Sequence, residues 1–155
     1  MNSLLVTYIL QTEKWTSPEL FETKNRIYTF LNPVSYLIAL ENKSLFEQFD
    51  GIFADGSLLV SAIRLVYGKR VTRRSFDMTS LAPELLNYLM ESRKTLYIVA
   101  SGQEQVECAV RIFQEQYPEL RIAGFRNGYF SSDAEMDMEA SHIVELRSEE
   151  HTSEL

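Results

Sequence analysis

Short runs rich in β-branched and aromatic residues alternate with longer helix-forming runs along most of this chain, and this alternation restricts the possible folds more than any other feature. Strands separated by helices indicate βαβ units with right-handed crossovers and parallel pairing. We therefore predict an α/β fold of Rossmann-like architecture, with a mostly parallel sheet and flanking helices. The predicted strands are Ile27–Leu31, Gly51–Ala54, Thr95–Val99 and Arg121–Phe125.

The segments between the strands carry helix signals. Asn32-Pro33 offers an N-cap and a first-turn proline to one or two short helices over Val34–Phe49. The mostly apolar stretch Ser57–Val66 predicts a largely buried helix, which Gly68 ends. Further helices are predicted from Asp77 as N-cap to Glu91, from Ser101 as N-cap in a capping box with Glu104, and over Ala134–Leu146.

The two ends of the chain fit this pattern less well. The first 25 residues are ambiguous, and we expect a β-hairpin or an edge strand there. Arg147–Leu155, RSEEHTSEL, is polar and without periodicity, and it matches the translation of a common sequencing-library adapter. We interpret residues 147–155 as a non-native tail, with a natural acidic tail as the alternative. Residues 1–146 are then expected to form a single domain.

Composition excludes several classes of protein. With 45% hydrophobic and 24% charged residues, the chain has an ordinary globular balance. The net charge of −7 argues against nucleic-acid binding. The single cysteine, Cys108, excludes an internal disulfide, fits a reducing compartment and is expected in the core. We see no signal peptide and no apolar run of about 20 residues, so we expect a cytoplasmic protein.

Polar residues and glycines follow each predicted strand. Ligands of parallel α/β sheets bind beyond the carboxyl ends of the strands. Helix N-termini, which suit anions, stand behind three of these four loops. The pattern therefore predicts a phosphate-bearing ligand. The loop residues are Asn32, Asp55-Gly56, Ser101-Gly102-Gln103 and Arg126-Asn127-Gly128-Tyr129.

Five motifs in order carry a resemblance to a known family. The chain resembles the WecG/TagA/CpsF family, glycosyltransferase family 26, from about Ile27 to Leu146. The stretch Tyr117–Phe130 is the most similar. The motifs are FLNP (Phe30–Pro33), IFADGSLLV (Ile52–Val60), RRSFDMTSL (Arg73–Leu81), LYIVASGQEQVECAV (Leu96–Val110) and YPELRIAGFRNGYF (Tyr117–Phe130).

The resemblance implies an enzyme of bacterial surface-polysaccharide synthesis. Such an enzyme transfers an N-acetylmannosamine-type sugar from UDP to a polyprenyl-diphosphate-linked N-acetylglucosamine, with inversion and with neither metal nor cofactor. It further implies peripheral contact with the inner face of the plasma membrane and leaves a homo-oligomer open. The family's later strand and Gly-x-Pro-x-Gln-Glu motif are absent here, so the resemblance implies a sheet that is incomplete at the C-terminus.

Inversion requires a base for the acceptor hydroxyl and cations or hydrogen-bond donors for the departing diphosphate. The resemblance makes Asp55 the base, and the alternative is an ordinary N-cap. Arg70, Arg73 and Arg74 are the candidates for the diphosphate. Arg70 matches the family's R-V-T letters, whereas Arg73 matches the usual distance from the Asp-Gly motif. A solvated basic loop is the alternative.

The remaining candidates are substrate contacts implied by the same resemblance. Asn32 either binds the donor or caps its helix, and Thr29 stands one residue before the place of the family's threonine. Two functions stay open beside the transferase: a non-catalytic nucleotide-binding or interaction module, and a nicotinamide oxidoreductase, which the missing Gly-x-Gly-x-x-Gly fingerprint disfavours. The further substrate candidates are Gly56, Gly102, Gln103, Asn127, Gly128 and Tyr129.

Overall fold

The computed structural model describes residues 4–22 and 24–152, and side chains up to residue 146 within that range. The chain forms two compact units, Met1–Tyr88 and Leu89–Leu155. The single domain expected over residues 1–146 stays a prediction. Within the described residues, no helix is both long enough and apolar enough to cross a membrane.

Helices and strands alternate in both units. The first unit contains α1 (Leu4–Thr12), α2 (Ser17–Glu22), β1 (Tyr28–Leu31), α3 (Pro33–Glu41), α4 (Lys43–Phe46), β2 (Gly51–Ala54) and α5 (Ser57–Tyr67). Helix α6 (Leu81–Glu91) crosses the boundary between the units. The second unit continues with β3 (Thr95–Val99), α7 (Gln103–Gln116), β4 (Arg121–Arg126) and α8 (Asp133–Thr152).

The described strands form two parallel pairs. Strand β1 pairs with β2, and Leu31 stands opposite Ala54 at their carboxyl ends. Strand β3 pairs with β4, where Val99 stands opposite Arg126. The α/β class and the parallel pairing predicted from the alternating runs are therefore confirmed, with the strands arranged as two two-stranded sheets.

The N-terminal segment is helical, so the expected β-hairpin or edge strand is wrong. Leu5, Ile9 and Thr12 recur at helical spacing along α1 and are almost fully buried. The Thr12 hydroxyl also donates to the carbonyl oxygen of Ile52 in β2, at 2.7 Å. Tertiary burial of this face decides in favour of a helix, because the short apolar run fits a strand equally well.

Side chains of the β1–β2 pair are buried on both faces. Ile52 and Ala54 join one apolar cluster with residues of α1, α3 and α5. Phe53, between them, joins a second cluster with Leu20 and Leu81. All four residues of β2 are buried, as expected of a strand with both faces covered, and Asp55 is the first residue after this buried strand.

Helices α5, α7 and α8 each differ from the predicted form. Helix α5 is not largely buried: Leu59 and Ile63 are buried, whereas Leu58 and Leu65 are exposed. Its predicted end is confirmed, since Gly68 takes the left-handed conformation that glycine favours, with φ 65°. Helix α7 carries Cys108 on its exposed side rather than in the core. Helix α8 continues past Leu146 to Thr152.

The proposed tail, residues 147–155, is only partly described. The backbone of 147–152 belongs to α8, whereas its side chains and residues 153–155 lie outside the described part of the chain. That this segment is non-native and packs against nothing therefore stays a prediction.

Candidate functional site

Two of the predicted site residues begin adjacent loops in the first unit. Asn32 follows β1 and Asp55 follows β2, and the Asp55 N–H donates to the carbonyl oxygen of Leu31 at 2.8 Å. Parallel pairing thus brings Asn32 and Asp55 to the same edge of the sheet. Thr29 is half-buried within β1, opposite Ile52, and does not lie at that edge.

Asn32 caps α3. Its Oδ1 accepts hydrogen bonds from the N–H groups of Val34 and Ser35, each at 2.9 Å. The Ser35 hydroxyl in turn accepts from the Asn32 N–H at 2.8 Å, which completes a capping box. The N-cap interpretation of Asn32 is confirmed, and its side-chain oxygen serves the helix.

Asp55 does not cap α5. The N-cap is Gly56, whose φ of 88° and ψ of 140° suit glycine, and no side chain accepts from the first turn of this helix. The Asp55 carboxylate is half-buried and forms no hydrogen bond or ion pair with another described residue. The alternative reading of Asp55 as an N-cap is therefore wrong, and the carboxylate is available to a ligand.

The basic segment Lys69–Arg74 runs beside the end of β2. Val71 is buried in the core, and the Thr72 N–H donates to the Glu13 carboxylate at 2.9 Å. The Arg74 N–H donates to the carbonyl oxygen of Ala54, directly before Asp55, at 3.0 Å. These contacts anchor the backbone of the segment within the first unit, whereas Lys69, Arg70 and Arg73 are exposed, so a solvated basic loop stays open as the alternative.

The three candidate arginines have different surroundings. Arg74 donates to the carbonyl oxygens of Thr12 at 3.3 Å and Trp15 at 2.9 Å, and so serves the end of α1. Arg73 forms an exposed ion pair with Asp77 at 2.8 Å. Arg70 is exposed and has no polar partner among the described residues. Arg70 and Arg73 are thus the arginines whose guanidinium donors remain accessible.

Asp77 stabilises the turn before α6 and is not the N-cap of that helix, which begins at Leu81. Its carboxylate accepts from the Thr79 hydroxyl at 2.7 Å and the Thr79 N–H at 2.8 Å. These hydrogen bonds, with a smaller contribution from Arg73, lower the pKa of Asp77. Asp77, the predicted N-cap, lies four residues before Leu81, because its carboxylate bonds to Thr79 in a turn that precedes the helix.

In the second unit, the loops after β3 and β4 contact each other. The Gly128 N–H donates to the carbonyl oxygen of Ser101 at 2.9 Å. The Asn127 side-chain amide donates to Gln103 Oε1 at 3.4 Å. The structure therefore brings together Gly102, Gln103, Asn127, Gly128 and Tyr129, as predicted from their positions after neighbouring parallel strands.

Helix α7 begins without a side-chain cap. Its N-cap is Gly102, so the capping box predicted between Ser101 and Glu104 is wrong. Ser101 instead takes a left-handed backbone conformation with φ 50°, which is uncommon for a residue other than glycine. The N–H groups of the first turn of α7 are left without a side-chain acceptor, as at the start of α5.

Tyr129 and Arg126 complete this loop pair. The Tyr129 N–H donates to Asn127 Oδ1 at 3.0 Å, and the Tyr129 residue is 74% exposed. Arg126 donates to the carbonyl oxygens of Asn127 and Tyr129, at 3.0 and 3.1 Å. The sequence places Arg126 among the loop residues but assigns it no function, because its partners in α8 cannot be identified from local spacing.

Metal-ligating side chains are not clustered in the part of the chain that the structure describes: no group of three or more His, Cys, Asp or Glu residues is placed to hold an ion. The polar groups at the two strand-end edges are a carboxylate, guanidinium groups and backbone N–H donors. This set suits proton abstraction and the binding of anionic oxygens.

Comparison with known proteins points to a family of glycosyltransferases. The model of the glycosyl transferase WecG/TagA/CpsF family matches residues 9–149. A UDP-Gal:alpha-D-GlcNAc-diphosphoundecaprenol beta-1,4-galactosyltransferase from Shigella boydii is 34% identical over 106 residues, which covers 68% of this chain and 44% of the relative. The chain thus spans less than half the length of that relative. No solved structure gives a significant match. The family match covers most of the chain, and the chain belongs to the WecG/TagA/CpsF family of glycosyltransferases.

Proposed function

We propose that the chain acts in the transfer of a sugar from UDP to a polyprenyl-diphosphate-linked N-acetylglucosamine during bacterial surface-polysaccharide synthesis. The observation that carries the proposal is the carboxylate of Asp55 at the end of β2, which has no partner within the described part of the chain and lies beside the uncapped start of α5. Family membership and the acceptor named for the Shigella boydii relative support the substrate class.

In the proposed mechanism, Asp55 takes the proton of the acceptor hydroxyl while that oxygen attacks the anomeric carbon of the donor sugar. The bond from the anomeric carbon to the UDP oxygen breaks, so the configuration inverts and UDP leaves with the electron pair. General-base catalysis of this kind contributes about 100- to 10,000-fold to a rate. A half-buried carboxylate without an internal partner is suited to this role.

The leaving diphosphate carries negative charge that the protein must stabilise. In the first unit we assign this role to Arg70 and Arg73, whose guanidinium groups are accessible. Arg74, the third candidate, already donates to two backbone carbonyls and would have to exchange those bonds for phosphate oxygens. Within the second unit, taken by itself, we propose that the uncapped start of α7 and Tyr129 contact a nucleotide.

Two lines of support differ over the donor sugar. The family resemblance implies an N-acetylmannosamine-type sugar, whereas the name of the Shigella boydii relative specifies galactose. We retain N-acetylmannosamine as the proposed donor, and parallel assays with UDP-N-acetylmannosamine and UDP-galactose decide the point. Faster transfer from UDP-galactose would replace this assignment without affecting the reaction class.

We further propose that transfer requires no metal ion, because guanidinium groups and backbone N–H donors supply the positive charge. Turnover should then be insensitive to a chelator. The proposed acceptor is lipid-linked, so the protein is expected at the inner face of the plasma membrane. Recovery of the protein with vesicles that contain the acceptor, compared with vesicles that lack it, tests this location.

Release of UDP tests the proposed function directly. UDP should appear only when both the UDP-sugar and the lipid-linked N-acetylglucosamine are present. Binding of UDP without any acceptor-dependent release would instead identify a non-catalytic nucleotide-binding module. Turnover of a nicotinamide cofactor in place of UDP release would identify an oxidoreductase.

A further inference from the structure

Arg126, the last residue of β4, joins the loop that follows it to helix α8. Its guanidinium is mostly buried, with 16% of the side chain exposed. On one side it contacts the backbone of the loop 127–129, and on the other it contacts two carboxylates of α8. One buried cation thus links the shape of this loop to a long helix.

On the loop side, the contacts fix two carbonyl groups. Nε donates to the Asn127 oxygen at 3.0 Å and one Nη donates to the Tyr129 oxygen at 3.1 Å. The Arg126 guanidinium also lies 4.1 Å from the centre of the Phe130 ring. Because a guanidinium is planar and rigid, its donors hold both carbonyls at a set separation. The Gly128 N–H between them is thereby directed to Ser101.

On the helix side, the guanidinium is oriented by ion pairs with Glu135 at 2.8 Å and Glu139 at 3.2 Å. Glu135 also accepts from the Ser131 hydroxyl at 2.6 Å and the Ser131 N–H at 2.7 Å. These bonds, followed by the one from Arg126, lower the pKa of Glu135 to about 2. Glu139 accepts from the Tyr97 hydroxyl. Both carboxylates therefore remain charged throughout the neutral range.

We propose that Arg126 is a positioning residue that holds the loop 127–129 in its nucleotide-binding shape. This inference rests on the proposed function, in which Tyr129 and the N–H groups at the start of α7 contact the nucleotide. In this proposal Arg126 acts through the loop and not on the ligand, because its Nε and both Nη atoms already donate to the loop carbonyls and to the carboxylates of α8. A residue that merely fastened α8 to the sheet would stabilise the unit equally but would not control the loop separately.

The test compares Arg126→Lys with Arg121→Lys. Lysine keeps the positive charge between the two glutamates but cannot reach both loop carbonyls with a fixed fork. Arg121 begins the same strand, is exposed and has no polar partner among the described residues, so its replacement is a matched control. Arg126→Gln is a harsher second variant, and Arg126→Lys alone carries the test if that protein does not fold.

Two readouts separate loop control from simple stabilisation. Hydrogen exchange measures the Gly128 and Tyr129 amides against the amides of β3 and β4, and calorimetry measures the affinity for UDP. In Arg126→Lys we expect about tenfold faster exchange at the two loop amides and about tenfold weaker UDP binding, the scale of hydrogen bonds from a charged donor. The strand amides and the Arg121→Lys protein should match the wild type.

The other outcomes have distinct meanings. Unchanged exchange at Gly128 and Tyr129, or an equal increase across the strand amides, would overturn the positioning role. A loop-specific increase with unaltered UDP affinity would also overturn it, because the loop shape would not matter for binding. If the loop amides respond but the wild-type protein binds no UDP, Arg126 still positions the loop and the proposed function is wrong.

Discussion

Helices α3 and α5 begin at the same edge of one parallel strand pair, yet their first turns are completed in opposite ways. The start of α3 is closed by Asn32 and Ser35, which satisfy one another's backbone groups in a capping box. The start of α5 has Gly56 as N-cap and no side-chain cap, and among the residues that the structure describes the carboxylate of Asp55 has no partner.

The difference shows that a polar residue directly after a strand is not enough to identify a ligand site. Asn32 has an extended backbone, with φ −85° and ψ 175°, and its side chain returns to its own helix. Asp55 stands one residue before the N-cap, so its side chain is not used by α5. A helix start that the chain completes itself supports the fold, whereas one left open is available to a substrate.

Among the predicted variants, replacement of Asp55 should have the largest effect, and the effect is on turnover. Asp55→Ala is expected to reduce acceptor-dependent UDP release by about 100- to 10,000-fold, because the general base is lost. The affinity for UDP, measured by calorimetry, should stay close to that of the wild type because the proposed partner of Asp55 is the acceptor hydroxyl and not UDP. A folded variant with near-normal turnover would exclude Asp55 as the base.

Loss of the accessible arginines in the basic segment Lys69–Arg74 should have the second-largest effect. Arg70→Gln together with Arg73→Gln is expected to weaken UDP binding by about 1.5–3 kcal/mol, the scale of hydrogen bonds to charged groups. The free energy of unfolding of this double variant should change little, because the Arg73–Asp77 pair is exposed. Arg74→Gln is the contrasting variant: it removes donors to Thr12 and Trp15 and should lower stability. Unchanged UDP affinity in the double variant would contradict the diphosphate role.

Gly56, the N-cap of α5, should be required for its backbone conformation. Gly56→Ala is expected to destabilise the protein by about 1–3 kcal/mol in urea unfolding, because an alanine at φ 88° is strained. No atom lies within 4 Å of a Cβ added there, so crowding plays no part. A Cβ at Gly128 would make only ordinary contacts at 3.5 Å, and Gly128→Ala should not destabilise. Equal stability of the two variants would refute this explanation.

The smallest effect is expected for Asn32, at the capped start of α3. Asn32→Ala should lower the free energy of unfolding by about 1 kcal/mol, the usual contribution of an N-cap. Asn32→Asp should keep most of that stability, because its carboxylate can accept the same N–H groups. Since Oδ1 already serves α3, UDP affinity should be unchanged in Asn32→Ala. A marked loss of affinity would restore the alternative in which Asn32 binds the donor.

Local signals were sufficient for much of the fold. The four strands follow from short β-branched and aromatic runs, and the start of α3 follows from Asn32-Pro33. Helix α1 could not be predicted, because its short apolar run fits a strand as well, and burial against β2 decides between them. The start of α6 depends on a turn in which Asp77 bonds to Thr79 before the helix begins.

The site shows the same division between local and distant causes. The sequence order brings Asp55 to a strand end, but whether its carboxylate caps α5 depends on the backbone of Gly56. The guanidinium of Arg74 is used by the carbonyls of Thr12 and Trp15, about sixty residues earlier, which no local pattern indicates. Arg126 likewise depends on partners in α8.

One paired measurement tests whether the uncapped start of α5, with Asp55, carries the chemistry and the capped start of α3, with Asn32, supports the fold. Donor- and acceptor-dependent UDP release is measured for Asp55→Asn and Asn32→Ala, each corrected for its folded fraction. We expect Asp55→Asn to lose turnover by orders of magnitude at wild-type stability, and Asn32→Ala to lose stability and keep its turnover. Similar turnover in the two variants, or a greater loss in Asn32→Ala, would contradict this expectation.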